Sequence, residues 1–420
     1  MAEDVRHPGL WSRYAAYMKA ALALIRKHQI ERREHPNALG LVIRLFEPLK
    51  ELPEFQDLYA YILSSPLADR VFVDAGGNPI REPGTQSHWF MNFSMMPVLT
   101  EYIGRELMVD FDEGRAKAVY ADLEASLECK QAVYAVLAPL QHFEGPGEEI
   151  RVDATLVLRK LSQDEREYLW HLGEFGGTVD RRDALTVSFC LAASLVTERN
   201  ATSKLSEVLG PVMRVVTALR LLKPGQVGVP AVTERLREPA FGLPGGSVTI
   251  SAAPAAIGSD YTLLSEDTES LLAMYQALAG AAPPNNLRVA LRRFNYAYER
   301  TRPEDRLIDH WVALEALFLP DISQELSFRA SLRIAYYVAI TADEREEVFR
   351  KMRLSYDTRS DVVHGQRLKA NVREVASDTE EILRRALRAE VMNPGSLDVD
   401  RLDAAIARGE TAAQQGVAND

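Results

Sequence analysis

The stretch YDTRSDVVHG, Tyr356 to Gly365, sets an arginine, four intervening residues and then a histidine directly before a glycine. These are the residue types that a phosphate-cleaving site needs. Histidine is the side chain that titrates near neutral pH without perturbation, so His364 can take up and release a proton there. The guanidinium of Arg359 is a planar, permanently charged fork that suits phosphoryl oxygens better than a lysine ammonium. Five positions along an α-helix advance about 7.5 Å and rotate about 140° beyond a full turn, so Arg359 and His364 do not share a stripe. They could still converge at a helix end, where Gly365 releases the backbone. The structural alternative makes His364 a partner of the helix dipole and pairs Arg359 with Asp361 or Glu315. The residues alone leave both open.

The surroundings of this stretch are basic. Between positions 350 and 369, Arg350, Lys351, Arg353, Arg359, Arg367 and Lys369 stand against only Asp357 and Asp361. Such a run attracts a polyanion, although a solvated helix face has the same composition. The chain as a whole carries a formal charge of −11, which argues against a broad nucleic-acid-coating surface. That charge is unevenly spread: residues 285–391 net +1 and the remainder −12.

Other chemistry is scarce. FGLPGGS (241–247) lacks the lysine of a phosphate-binding P-loop and leads into a strand pattern, so it reads as a plain turn. No zinc-binding histidine pair, GxSxG elbow or dinucleotide fingerprint occurs. Cys129 and Cys190 are the only cysteines, too few for a disulfide framework or a cysteine-based zinc site. No metal or cofactor is expected. MAEDVRHPGL is not a secretory signal, and the apolar run 184–196 is too short to span a bilayer. The expectation is a cytoplasmic protein without membrane contact.

The elements that must hold the stretch follow from periodicity. Apolar residues at helical spacing predict a helix over Trp11–Lys27, further pieces over 39–49 and 58–63, a turn-rich loop over 74–88, and helix over 98–129 broken near Gly114. Residues 131–143 and 149–161 read as a hairpin or adjacent strands joined by EGPG, and SQDE (162–165) as a capping box opening a short helix. Residues 184–197 predict a buried strand, 206–223 a helix, and 227–233 and 247–252 short strands. After a helix ending near 278, GAAPP (280–284) reads as a linker. Helices are then predicted near 286–300, 305–319, 325–340, 342–364 and 372–391, with Thr341 and Glu344 at capping-box spacing. The regions so defined are a mainly helical 1–130, a mixed 131–280 that could form one domain with it, a bundle at 285–391, and a polar tail at 392–420 with one short helix near 398–408.

The bundle carries a resemblance. The order NNLRVALRRFNYAYER, DRLIDHWVALEALFLP, SFRASLRIAYYVA and YDTRSDVVHG is similar to a HEPN domain, most of all to the Apea-like HEPN group of bacterial proteins, over about residues 285–391. The fold class expected is therefore an α+β N-terminal region followed by an all-α HEPN helical bundle. The resemblance implies metal-independent RNA cleavage, in phage defence, toxin–antitoxin or RNA-processing systems. It also implies two bundles paired so that their Arg-x4–6-His motifs share a cleft. Arg359 and His364 hold the motif positions. Ser360 follows the arginine where many members have Asn, Asp or His, which changes the local hydrogen bonding. Some members are inactive.

That chemistry suits the residues. Attack of a ribose 2′-hydroxyl on its neighbouring phosphate needs a proton shuttle, for which His364 serves, and a fixed cation on the phosphoryl oxygens, for which Arg359 serves. Glu315 lies in the apolar segment WVALEALF, where it could orient Arg359 or make a fold-stabilising pair elsewhere. His310 reads as structural. Tyr356 could touch RNA or belong to the core. Arg350, Lys351, Arg353, Arg367 and Lys369 are the expected RNA-binding residues. The partners expected are an RNA substrate, a second copy of the chain, and a trigger or protein at the N-terminal region. The alternative function is a non-catalytic HEPN adaptor that dimerises and binds RNA or a protein.

Overall fold

The computed structural model describes residues 7–32, 38–72, 78–104, 106–174, 187–198, 205–238, 247–252, 260–280, 282–320 and 326–409. The FGLPGGS turn, save its last residue, lies outside the described residues, as do 184–186 of the predicted strand and the end of the tail. The chain divides into two compact units, one of Met1–Val136, Ser194–Ser206 and Thr233–Gly246, the other of Leu137–Ala193, Glu207–Val232 and Ser247–Asp420.

The first unit holds α1 (Pro8–Arg32), α2 (Ala38–Arg44), α3 (Phe46–Lys50), α4 (Pro53–Leu63), α5 (Ala68–Val71), α6 (Pro83–Phe90), α7 (Met96–Ile103) and α8 (Glu113–Glu128). The helical spacing of α1 buries Tyr14, Tyr17, Met18, Leu22 and Ile25 in one core with Phe55, Phe90, Leu99 and Leu123. Two expectations need correction. The loop over 74–88 gives way to α6 at Pro83, because proline's fixed φ and missing N–H suit the first helical position. The break placed near Gly114 falls earlier: Gly104 closes α7 at φ +62, and Asp112 caps α8 by accepting from the Arg115 N–H at 2.7 Å.

Beyond them run β1 (Gln131–Leu140), β2 (Phe143–Glu144), β3 (Ile150–Arg151), β4 (Leu156–Lys160), α9 (Gln163–Glu174), β5 (Phe189–Glu198), α10 (Leu205–Leu222), β6 (Val229–Glu238), β7 (Ser247–Ala252) and β8 (Tyr261–Thr262). Six strands form one sheet in the order β3-β4-β5-β1-β6-β7, with β3–β4 and β4–β5 antiparallel, and β2 pairs parallel with β8. β1 and β4 are thus not neighbours: β5 lies between them. Phe189 to Ala193 is buried without interruption, a run that belongs inside a sheet, while two-residue β3 takes an edge. The local hairpin is β3–β4, its turn fixed by Asp153, which accepts from the Thr155 and Leu156 N–H groups at 2.8 Å each. The SQDE box forms reciprocally, Ser162 accepting from Glu165 N–H at 3.2 Å and Glu165 from Ser162 N–H at 2.9 Å.

The C-terminal half is helix-rich: α11 (Thr268–Ala279), α12 (Asn285–Ala297), α13 (Pro303–Phe318), α14 (Leu326–Val338), α15 (Ala342–Val363), α16 (Val372–Met392) and α17 (Val399–Arg408). α13 runs through its centre, packed on α12, α15 and α16; Leu307, Trp311 and Leu314 on it are buried, as are Phe294, Met352, Leu383 and Leu387 on those three helices. The short helix expected near 398–408 is α17. It docks on α14, burying Leu402 and Ala405, while the Arg333 fork donates to Asp403 at 2.8 and 2.6 Å and to the Phe318 carbonyl at 2.6 Å. No helix among the described residues is long and apolar enough to cross a membrane.

Candidate active site

The site stretch closes α15, and both ends of that helix are set by its sequence. Thr341 accepts from the Glu344 N–H at 3.2 Å, and Glu344 reaches back to the Ile340 N–H at 3.0 Å. At the other end Gly365 takes φ +64, the left-handed conformation that ends helices. The Gln366 N–H donates to the Asp361 carbonyl at 2.8 Å and the Gly365 N–H to Val362 at 3.2 Å, the two bonds of a Schellman cap. His364 is therefore the last residue held by the helix ladder, donating its N–H to Ser360 at 3.0 Å while its side chain stands exposed.

Arg359 sits on another face of the helix. Its Nη2 approaches Glu315 Oε1 of α13 at 3.5 Å, with both side chains about a quarter exposed. Among the described residues the guanidinium makes no hydrogen bond, and its buried Nε has no partner. Burial raises the Glu315 carboxyl above its ordinary range, and Arg359 only partly opposes this. The guanidinium lies 5.9 Å from the Tyr356 ring centroid, and Tyr356 packs edge-on to Trp311 at 5.0 Å. Trp311 Nε1 donates to Ser355 Oγ at 2.8 Å, and Ser355 meets Thr379 at 2.6 Å, so the floor beneath Arg359 is buried and fully bonded. Of the two readings of Glu315, its side chain meets Arg359; of those of Tyr356, the ring is core-facing and partly exposed.

The remaining expected residues divide. Lys351 is engaged by Glu347 at 3.1 Å and Asp378 at 3.4 Å. Arg350, Arg353, Arg367 and Lys369 have no ion pair among the described residues, and Ser360 is partly exposed. Within one chain, then, the arginine and histidine face different ways from a shared, rigid helix end. That geometry can hold a phosphate at Arg359 and move a proton at His364 only if substrate, or a second chain, spans the gap. Among the described residues no cluster of His, Cys, Asp or Glu is arranged to hold a metal ion.

Sequence reasoning missed a buried charge network beside this floor. Glu380 accepts from Tyr298 at 2.8 Å, Arg306 at 3.3 Å and Arg384 at 2.5 Å, and His310 Nε2 lies 3.9 Å from it. Burial pushes Glu380 up, but its cationic neighbours more than reverse this, leaving it below the ordinary carboxylate range. Burial also drives His310 down to about 4, so it is neutral at physiological pH and the arginines carry that effect. Arg384 Nε donates to the Arg220 carbonyl at 2.8 Å; Arg220, fully buried, donates to Val227 O at 2.8 and 3.1 Å and to Asn295 Oδ1 at 2.9 Å. The one signal in the sequence is the i, i+4 pair of Glu380 and Arg384 on a helix that also carries Leu383 and Leu387.

No family model, curated protein or solved structure matches the chain.

Proposed function

We propose that the chain is a metal-independent RNA endonuclease of the HEPN type, acting as a two-fold dimer through Arg359 and His364. The observation that carries this reading is the capped end of α15. It presents His364 to solvent, while on another face of the same helix end a bonded floor carries an arginine whose guanidinium makes no hydrogen bond among the described residues. In the reaction the ribose 2′-oxygen bonds to the adjacent phosphorus as its proton passes to a histidine. The bond to the 5′-oxygen breaks as that oxygen takes up a proton from the histidine of the other chain, leaving a 2′,3′-cyclic phosphate and a 5′-hydroxyl. Arg359 stabilises the charge that grows on the non-bridging oxygens, a group worth more where water is excluded. Because Arg359 and His364 diverge on one helix, a second chain supplies the complementary set.

One observation favours a second reading, the non-catalytic adaptor: the half-buried pair of Arg359 and Glu315 makes that arginine a structural residue. Cleavage of labelled RNA and thermal melting, measured on wild type, His364→Ala, Arg359→Ala and Arg359→Lys, separate the two. The nuclease reading expects each substitution to cost about 10²–10⁴ in rate, with the lysine failing because a point charge cannot replace the fork. His364→Ala should leave the melting temperature unchanged, and Arg359→Ala should lower it slightly by stranding Glu315. A His364→Ala protein that cleaves as wild type does ends this proposal, and a wild type that never cleaves RNA leaves the adaptor.

A further inference from the structure

An exposed aromatic lies on the same surface as the site, and the proposed reaction does not use it. Phe328, near the start of α14, is 49% exposed and packs edge-on to Phe349 of α15 at 5.7 Å. On α15, positions 349, 353, 360 and 364 fall within about 60° of one another, so Phe349, Arg353, Ser360 and His364 share one stripe. That stripe is about 22 Å long from Phe349 to His364. No carboxylate falls on it between those ends; Asp357 and Asp361 stand to its side. Arg353, about a quarter of the way along from Phe349, has no ion pair among the described residues, and neither has Arg350 beside it.

An exposed ring followed by an unpaired guanidinium and then a proton-transfer group is the order in which a nucleic-acid strand would need them. Bases stack on exposed aromatic faces without regard to sequence, and arginines hold the phosphates between them. We propose that Phe328 and Arg353 form a track for unpaired RNA, a stacking site at Phe328 and a phosphate contact at Arg353, which feeds the strand to His364. The track takes single strands only, because a duplex keeps its base faces covered. A second copy of this chain fits the surface less well. A two-fold partner whose axis crossed the stripe at Arg353 would set the same unpaired cations against each other. The inference rests on the nuclease reading for its direction, but not for its binding. The bases it grips lie several nucleotides from the scissile phosphate.

The test measures binding of a fluorescein-labelled single-stranded RNA, and of the same sequence as a duplex, by anisotropy. The proteins are the full-length wild type, Phe328→Leu, Phe328→Ala and Arg353→Gln, each also assayed for cleavage, melting and mass by light scattering. Phe328→Leu keeps an apolar cover over Phe349 and removes only the ring. It and Phe328→Ala should weaken the single strand about fivefold or more and leave the duplex unchanged. Arg353→Gln should lower the slope of log affinity against log salt by about 0.7, the share of one phosphate on a single strand. A single abasic nucleotide at the stacked position should reproduce the Phe328→Leu loss, and combining the two should add nothing. If wild type cleaves but Phe328→Leu binds single strands as well as wild type does, the track is wrong and the nuclease reading survives. If the strand binds with these dependences and is never cleaved, the track stands and the nuclease reading falls. A Phe328→Leu protein whose only change is a lower mass in solution marks the ring as a contact between copies and overturns the track.

Discussion

Residues 285–391 hold two histidines, and the structure surrounds them differently: His364 stands exposed at the end of α15, whereas His310 lies inside α13's packed face. His310 is fully buried, with neither ring nitrogen hydrogen-bonded among the described residues, and burial lowers it to about 4 from an ordinary 6.5. The unfolded chain therefore binds a proton at this position over a pH range in which the folded chain does not. Stability is complete above about 6.5 and is lost as pH falls towards about 4. At about pH 4.5 these two values correspond to a loss of roughly 2–3 kcal/mol relative to about pH 8, from this residue alone. His310→Leu removes the effect at little change in volume and also removes two unpaired nitrogens, so near pH 8 it should be neutral or slightly stabilising. Urea unfolding of wild type and His310→Leu at both pH values measures the difference, and cleavage on the same samples assigns the function. The variant should lose roughly 2–3 kcal/mol less than wild type on acidification and, on the nuclease proposal, should still cleave. Equal acid sensitivity of the two proteins, or a folded His310→Leu that cannot cleave, would refute the assignment.

Three further outcomes follow from named contacts and from the proposed reaction. Cleavage should persist in EDTA and leave 2′,3′-cyclic phosphate and 5′-hydroxyl ends; strict dependence on Mg²⁺ or 5′-phosphate products would sink the mechanism. Light scattering at micromolar concentration should show a dimer, with or without RNA, and a monomer throughout would count against a shared site. Leu402→Ala should cost about 2–3 kcal/mol in urea unfolding because α17 is docked, and Asp403→Asn about 1 kcal/mol because that carboxylate is partly exposed; no change in either would mean that α17 contributes nothing.

What could be read from the chain was local. Thr341, Ser162 and Gly365 each act on groups within a few residues, so the caps of α15 and α9 appear where spacing puts them. The run of helices from α12 to α17 follows apolar periodicity in the same way. Strand order did not follow, because β5 inserts between β4 and β1 through pairing that no local pattern encodes. α6 was hidden because Pro83 and Gly84 count as breakers until one sees that proline opens the helix. For the site, residue types and the helix end were legible, but the direction of Arg359 was not. Its face is decided by Glu315, more than forty positions earlier. The Glu380 network was hidden for the same reason, apart from the Glu380–Arg384 spacing: Tyr298, Arg306 and His310 join that pair only when three helices bring them together.

Arg220 gives the bundle a dependence on sequence far upstream of it. Its carbonyl is the acceptor for Arg384, and its guanidinium holds Asn295 and the segment leading into β6. A bundle transplanted onto another protein from residue 285 onward would carry Arg384 into the graft with a buried donor and no acceptor. Any exchange that is to keep the acceptor of Arg384 must bring α10 and the Val227 turn along with these helices. The heritable cassette is therefore longer than the helical bundle, and chimaeras joined at the GAAPP segment should express poorly unless Arg220 travels too.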